Sequence, residues 1–275
     1  MMVQNIREPI PPLWPQQQPY LTDHGLRREA IANFPIGVLA FRLTASEEGA
    51  LDVNVTLSRD RGILENTADA NTKTVTMNVG GDDAGSIAFS SAVQVETNGG
   101  ETLPRSLSHY LNLSTRCIIC VEMPSMLTSC EIDITVDGAT LVITGATTVD
   151  LFYDAETEFQ WDSEEEYKTE VARKLDTASE IGFGELRSQA IADHSKLMER
   201  VVLDLGSSGE TGLLPTDERI ESYRESPAKD NEFITLMFNF GRHLLVSSSR
   251  DTGGPGRGVP AHLQGLWNDK YVPPW

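Results

Sequence analysis

Residues 51–57 read Leu-Asp-Val-Asn-Val-Thr-Leu, with apolar and polar side chains in strict alternation. In an extended strand successive side chains point to opposite faces, so the apolar ones here all share one face. Leu39, Phe41 and Leu43 alternate in the same way on the other side of a turn at residues 47–49, which read Glu-Glu-Gly. The pattern predicts that these two segments form a hairpin of half-buried strands.

The alternation continues beyond this hairpin, and no helical period interrupts it before about residue 157. Seven or more short strands without intervening helices predict an antiparallel β-sandwich rather than a parallel sheet. We assign the sandwich to residues 27–156 and treat the Pro- and Gln-rich residues 1–26 as an irregular segment. The apolar positions of the further strands are Val75, Met77, Val79, Ile87, Phe89, Val93, Val95, Ile118, Val121, Ile132, Ile134, Val136, Leu141, Ile143, Val149, Leu151 and Tyr153.

Helical periodicity replaces the alternation from about residue 157 to residue 205, a region that we interpret as a helical linker. Ser163 and Glu166 have the spacing of a capping box, and the helix that follows should end at Gly182. Its apolar stripe is Tyr167, Val171, Leu175 and Ala178. A second helix is expected from about residue 184 to 199, with one face formed by Leu186, Ala190, His194 and Leu197, and residues 200–205 read as a short β-like segment.

Residues 206–275 begin with a Gly/Ser loop and continue with two further helical segments. Thr216 is expected to cap the first of these helices, with Asp217 and Glu218 in its first turn. Residues 231–248 are apolar nearly all round, and a helix of that kind must be surrounded by protein. Because only a loop follows it, we expect the rest of the enclosing domain to lie outside this sequence.

Composition limits the classes of partner. The chain carries 22 basic and 41 acidic residues, a formal charge of −19, which argues against nucleic acid and suits neutral substrates. No apolar run approaches the roughly 20 residues of a membrane span, and the N-terminus lacks the features of a signal peptide, which leaves localisation open. Cys117 and Cys120 have the spacing of a metal pair, but with neither a second pair nor a nearby His we interpret them and Cys130 as buried apolar residues. We expect no metal and no cofactor.

Residues 250–275, the candidate sugar-binding stretch, follow the apolar helix and have the side chains of a sugar-binding site. Aromatic faces stack on pyranose rings and amides bind hydroxyl groups. The candidate substrate-binding residues are Arg250, Gln264, Trp267, Asn268 and Trp275. The alternative is that the two tryptophans only pack the loop against the domain, and that Arg250 makes structural hydrogen bonds.

Other polar residues of this region have less specific patterns. His262 is either a ligand-facing donor or a packing or capping residue, and His243 is expected to be buried and hydrogen-bonded. The Gly-rich residues 253–258 follow a helix and lack the Lys-Ser/Thr of a phosphate loop. Asp217 and Glu218 cannot act as an acid/base pair, because adjacent residues on a helix point about 100° apart.

An ordered set of short motifs resembles glycoside hydrolase family 95, the inverting α-L-fucosidases, from about residue 27 onward. Each motif alone is weak, but the set in this order is specific. The motifs are Arg28-Glu29-Ala30, residues 38–45 (VLAFRLTA), 200–206 (RVVLDLG), 214–219 (LPTDER), 240–250 (FGRHLLVSSSR), 260–268 (PAHLQGLWN) and Pro273-Pro274-Trp275. The chain departs from the family's usual loop at residues 251–258 and at His262, where the family has Asn.

The resemblance implies a β-sandwich, a helical linker and then an (α/α) toroid, of which residues 206–275 would be the truncated start. It implies a fucosylated glycan as the partner of the complete enzyme. Inverting hydrolysis needs a general acid and a base on opposite faces of the sugar. The family's Glu acid, Asn pair and supporting Asp lie beyond the position matching Trp275, so no catalytic residue is assigned and we expect this polypeptide to be inactive alone. The alternative function is that of a non-catalytic carbohydrate-binding or interaction β-sandwich.

Overall fold

The computed structural model describes residues 25–59, 62–80, 87–98, 119–122, 133–137, 139–227, 230–250 and 260–261. Of residues 119–122 and 133–137 it describes only the backbone. The chain divides into two compact units, Met1–Ala190 and Ile191–Trp275. The expected irregular segment, residues 1–26, falls almost wholly outside the described ranges, and so do Cys117 and Cys130.

Ten strands in the described ranges form two antiparallel sheets in the first unit, as the alternation predicted. The six-stranded sheet has the order β1-β2-β10-β6-β5-β4, and the four-stranded sheet has the order β7-β3-β9-β8. The strands are β1 (Leu26–Asn33), β2 (Val38–Ala45), β3 (Leu51–Leu57), β4 (Ile63–Asp69), β5 (Thr74–Val79), β6 (Phe89–Asn98), β7 (Ile119–Glu122), β8 (Asp133–Asp137), β9 (Thr140–Ala146) and β10 (Thr148–Thr157).

The predicted hairpin of β2 and β3 is wrong, because the two strands belong to different sheets. β2 pairs with β1 and β10, whereas β3 pairs with β7 and β9. Alternation specifies which side chains share a face but does not specify the neighbouring strand. β2 is also buried on both faces, since Leu43 lies in the core between the sheets and Ala40 faces the helices.

The main core lies between the inner faces of the two sheets. Val53, Val55 and Leu57 of β3 are fully buried there against Val93 and Leu151 of the opposite sheet. Burying an aliphatic side chain of this size stabilises the fold by about 1.5–3 kcal/mol. The sandwich is therefore held by the apolar positions that the sequence pattern identified.

Helix α1 (Glu164–Ile181) covers the outer face of the six-stranded sheet. The Ser163 half of the predicted capping box is confirmed, since the Glu166 N–H donates to Ser163 Oγ at 3.3 Å. Glu166 Oε2 accepts from the Asp162 N–H at 3.1 Å, one residue before the N-cap, rather than from the Ser163 N–H. The predicted apolar stripe is buried, and Gly182 ends the helix with a positive φ of 77°. The side chains packed beneath α1 include Phe152 of β10.

Helix α2 (Phe183–Met198) starts in the first unit and confirms the second predicted helix. Phe183 and Leu186 are buried in the cluster beneath α1, and Asn33 donates to the Leu186 carbonyl at 2.8 Å. The Arg42 guanidinium lies 4.6 Å from the centre of the Phe183 ring and forms two hydrogen bonds to Asp150, at 2.7 and 2.6 Å. These contacts fix the first turns of α2 to the sheet.

The second unit contains the last turns of α2, then α3 (Thr216–Glu225) and α4 (Asn231–Ser248). The predicted β-like segment at residues 200–205 is wrong, since it forms no strand. The predicted cap at Thr216 is also wrong: Thr216 is the first helical residue, and Pro215, whose extended conformation suits the position before a helix, is the N-cap. No helix of the described residues is long and apolar enough to cross a membrane.

Candidate functional site

Most of the candidate sugar-binding residues lie outside the described ranges. Gln264, Trp267, Asn268 and Trp275 belong to this group, and so do His262 and the Gly-rich residues 253–258. Arg250 is the one candidate whose surroundings the structure describes. It lies two residues after Ser248, the last residue of α4, at the point where the candidate sugar-binding stretch begins.

Arg250 forms a two-pronged ion pair with Asp193 on α2. Its Nη1 and Nη2 donate to Asp193 Oδ2 and Oδ1 at 2.5 and 2.9 Å. The side chains are largely buried, with exposed fractions of 16% and 24%. These hydrogen bonds hold the pKa of Asp193 below its usual value, since they favour the charged carboxylate. The pair fixes the start of the candidate stretch to α2.

Arg242 of α4 caps the C-terminal end of α2. Its Nη2 donates to the carbonyls of Leu197 and Met198 at 3.3 and 2.8 Å, and Nη1 donates to the Val201 carbonyl at 2.8 Å. The last carbonyls of a helix have no partner within the helix and carry partial negative charge. One guanidinium therefore satisfies three acceptors and joins α4 to the end of α2.

His194 and His243 lie between these two arginine contacts. Their ring centres are 5.2 Å apart, with an interplanar angle of 75°, so that an edge of one ring meets the face of the other. His243 Nδ1 is buried and has no hydrogen-bond partner among the described residues, so the expectation of a hydrogen-bonded His243 is not met at that atom. Burial lowers the pKa of His194, and His243 and Arg250 add to this effect.

A second ion pair lies at the start of α4. Arg219 Nε and Nη2 donate to the two carboxylate oxygens of Asp230 at 3.0 and 2.8 Å, and Asp230 is 1% exposed. Asp230 Oδ1 also accepts from Ser208 Oγ at 2.6 Å and from the Phe233 N–H at 2.9 Å. The hydrogen bonds from Arg219, followed by those from Ser208 and Phe233, lower the pKa of Asp230 to about 2 despite its burial.

Glu232 joins the Gly/Ser loop to α4. Its Oε2 accepts from the Ser208 N–H at 3.0 Å, and its own N–H donates to Ser208 Oγ at 2.9 Å. A Cβ at Gly212 would lie 2.2 Å from Glu232 Oε2, so this position suits only glycine while the carboxylate stays in place. Asp217 and Glu218 are exposed in the first turn of α3, where carboxylates complement the helix dipole.

The described carboxylates of the second unit thus serve mainly as caps and ion-pair partners. No group of three or more described His, Cys, Asp or Glu side chains is arranged to hold a metal ion. The sequence analysis missed Asp193, Arg242 and Asp230 as partners. For Asp230 a signal existed, since Asp followed three residues later by the first apolar residue of a helix is typical of an N-cap.

A match to a known protein family covers the second unit. Residues 182–275 match the sequence model of the glycosyl hydrolase family 95 catalytic domain. Alpha-L-fucosidase 2 of Arabidopsis thaliana is 33% identical over 118 residues, which cover 42% of this chain and 13% of that protein. Probable alpha-fucosidase A of Aspergillus niger is 32% identical over 105 residues, covering 38% and 12%, and its Aspergillus oryzae counterpart is 29% identical over 118 residues, covering 42% and 15%.

Two antiparallel sheets precede helices whose sequence matches a glycoside hydrolase catalytic domain, so this part of the chain is similar to carbohydrate-active hydrolases. Residues 182–275 are thus similar to the catalytic domain of glycosyl hydrolase family 95, the family that the sequence resembles. Its matched segment spans only 12–15% of the length of these curated relatives.

Proposed function

We propose that this chain forms part of a hydrolase that releases terminal α-L-fucose from glycans, with inversion and on α-1,2 linkages. The observation that carries the proposal is the family match over residues 182–275, the region that includes α4, Arg250 and the candidate sugar-binding stretch. The chain's charge of −19 is compatible with a neutral glycan as substrate.

The proposed contacts with the sugar come from the stretch that starts at Arg250. Trp267 and Trp275 offer aromatic faces for a pyranose ring, and Gln264 and Asn268 offer amides for its hydroxyl groups. Arg250 would position this stretch through Asp193 rather than contact the sugar, because Asp193 binds two nitrogens of its guanidinium. In this proposal residues 27–156 form the sandwich, 157–205 the linker and 206–275 the start of an (α/α) toroid.

We further propose that these 275 residues alone do not hydrolyse fucosides. Inversion needs a general acid that protonates the leaving oxygen and a group on the opposite face of the sugar that activates water. In the second unit Asp193 and Asp230 are already paired with arginines, and Glu232 holds the Ser208 amide. Freeing any of them would break the contacts that hold α4.

A chimera tests the fucosidase proposal. Residues 182–275 of this chain replace the aligned segment of Arabidopsis alpha-L-fucosidase 2, and fucose release from a fucosyl-α1,2-galactoside is measured. The proposal expects a folded chimera with measurable turnover, which Trp267→Ala should lower by raising KM. The matched control is Trp267→Phe in the same chimera, which keeps an aromatic face and should lower turnover less than Trp267→Ala.

A folded chimera without turnover would count against the proposal. The carbohydrate-binding alternative makes a different prediction for the same material: the 275-residue chain itself would bind fucosylated glycans while the chimera stays inactive. Binding of the chain to 2′-fucosyllactose, measured by calorimetry, separates the two functions.

A further inference from the structure

The pair formed by His194 of α2 and His243 of α4 lies between two arginine contacts that join these helices. Arg242 of α4 donates to the Met198 carbonyl at the end of α2, and Arg250, two residues after the end of α4, pairs with Asp193 of α2. Residue numbers rise along α4 as the contacted numbers fall along α2, so the two helices run antiparallel here. His194 and His243 meet within this contact.

We propose that the contact between His194 and His243 is an acid-sensitive latch, closed while His194 is neutral and opened when that ring takes up a proton. The two rings are not part of the ion pairs of the second unit, since neither His194 nor His243 forms an ion pair with a described carboxylate. His243 Nδ1 is buried and has no hydrogen-bond partner among the described residues, so the contact with the His194 ring is the described interaction of this imidazole.

The charged groups around the pair favour the neutral state. The charge of Asp193, next to His194 in sequence, raises the pKa of His194, but this carboxylate is paired with Arg250. Lys196 on α2 adds a positive charge near Asp193, and Arg242 on α4 is bound to backbone carbonyls. Burial, followed by the charges of His243 and Arg250, lowers the pKa of His194 despite the opposing charge of Asp193, so a proton on the His194 ring is disfavoured.

The direction of the pH effect follows from linkage. Burial holds the pKa of His194 below its ordinary value in the closed state, so the open state binds the proton more tightly. The contribution of the latch to stability is complete above about pH 6.5, the ordinary histidine value, and is lost as the pH falls from there through the closed-state pKa. Acidification should thus loosen α4 from α2 and release Arg250 with it.

Hydrogen exchange tests the latch in the intact 275-residue chain. Mass spectrometry at pH 7.5 and 5.5, corrected for the intrinsic exchange rate, gives the protection of peptides from α4. We expect protection to fall by about threefold or more at pH 5.5 in the wild type, because tighter proton binding by the open state multiplies the opening constant. Peptides from β3 and β9 should show no such change.

Variants identify the group responsible. His194→Gln should flatten the pH dependence of α4 by removing the titrating ring, and His243→Gln should flatten it by removing the contact with that ring. If a variant does not fold, the ring signals of the wild type in an NMR titration decide, since the proposal requires His194 to titrate below the value of a free histidine. Equal protection of α4 at both pH values, an unaltered pH dependence in both variants, or an ordinary titration of His194 would each overturn the latch.

Discussion

Arg219 and Asp230 form a two-pronged ion pair, 3.0 and 2.8 Å long, in which the carboxylate that accepts from the guanidinium also begins α4 by accepting from the Phe233 N–H. Arg219 is 9% exposed and lies 5.6 Å from the centre of the Phe233 ring. Arg219 closes the sequence motif Leu-Pro-Thr-Asp-Glu-Arg at residues 214–219. This motif therefore supplies the guanidinium of Arg219, which neutralises Asp230, the N-cap of α4.

Asp230→Asn should destabilise the second unit by about 3–5 kcal/mol, because it leaves the Arg219 guanidinium buried without its counter-charge. Urea unfolding followed by circular dichroism measures the change. Glu221→Gln removes the partner of Arg224 in an exposed pair and should cost only about 0–1 kcal/mol. Equal effects of the two substitutions would contradict the importance given to the buried pair.

Acid should weaken the same contact in a defined pH window. The folded-state pKa of Asp230, about 2, is lower than its ordinary value of 3.8, so its contribution to stability is present above about pH 4. That contribution is lost as the pH falls from there through about 2. The stability of Asp230→Asn should be less dependent on pH in this window than that of the wild type, and parallel curves would show that Asp230 does not titrate as described.

Arg242→Met should loosen the end of α2, since it removes hydrogen bonds to three carbonyls. Hydrogen bonds from a charged donor contribute about 1.5–3 kcal/mol each when they can be isolated, and methionine keeps much of the side-chain packing. We expect a lower thermal midpoint and faster amide exchange in residues 195–198. Arg200→Met, at an exposed position nearby, is the control and should change neither quantity.

Ser163→Ala should cost about 1 kcal/mol through loss of the N-cap of α1. The helix covers the outer face of the six-stranded sheet, so the change should appear in the unfolding of the first unit. Ser163→Asp retains an acceptor and should restore the stability. A neutral Ser163→Ala substitution would mean that water satisfies the Glu166 N–H equally well.

Local patterns predicted the strands of the sandwich and the capping of α1, because alternation and the Ser163–Glu166 spacing depend only on neighbouring residues. The pairing of β2 with β10 was not predictable in this way, since it joins Phe41 to Leu151 across more than a hundred residues. The contact between Arg250 and Asp193 was not predictable either, because no local pattern links the two residues. Only the antiparallel packing of α4 on α2 brings them together. Long-range partners of charged residues are thus the part of the site that needs the structure.

The most direct test compares fucose release from a fucosyl-α1,2-galactoside by the isolated 275-residue chain and by the chimera that carries its residues 182–275. The account predicts no release above a blank for the isolated chain and measurable turnover for the chimera, with inversion at the anomeric carbon. Turnover by the isolated chain, or a folded chimera that releases no fucose, would contradict it.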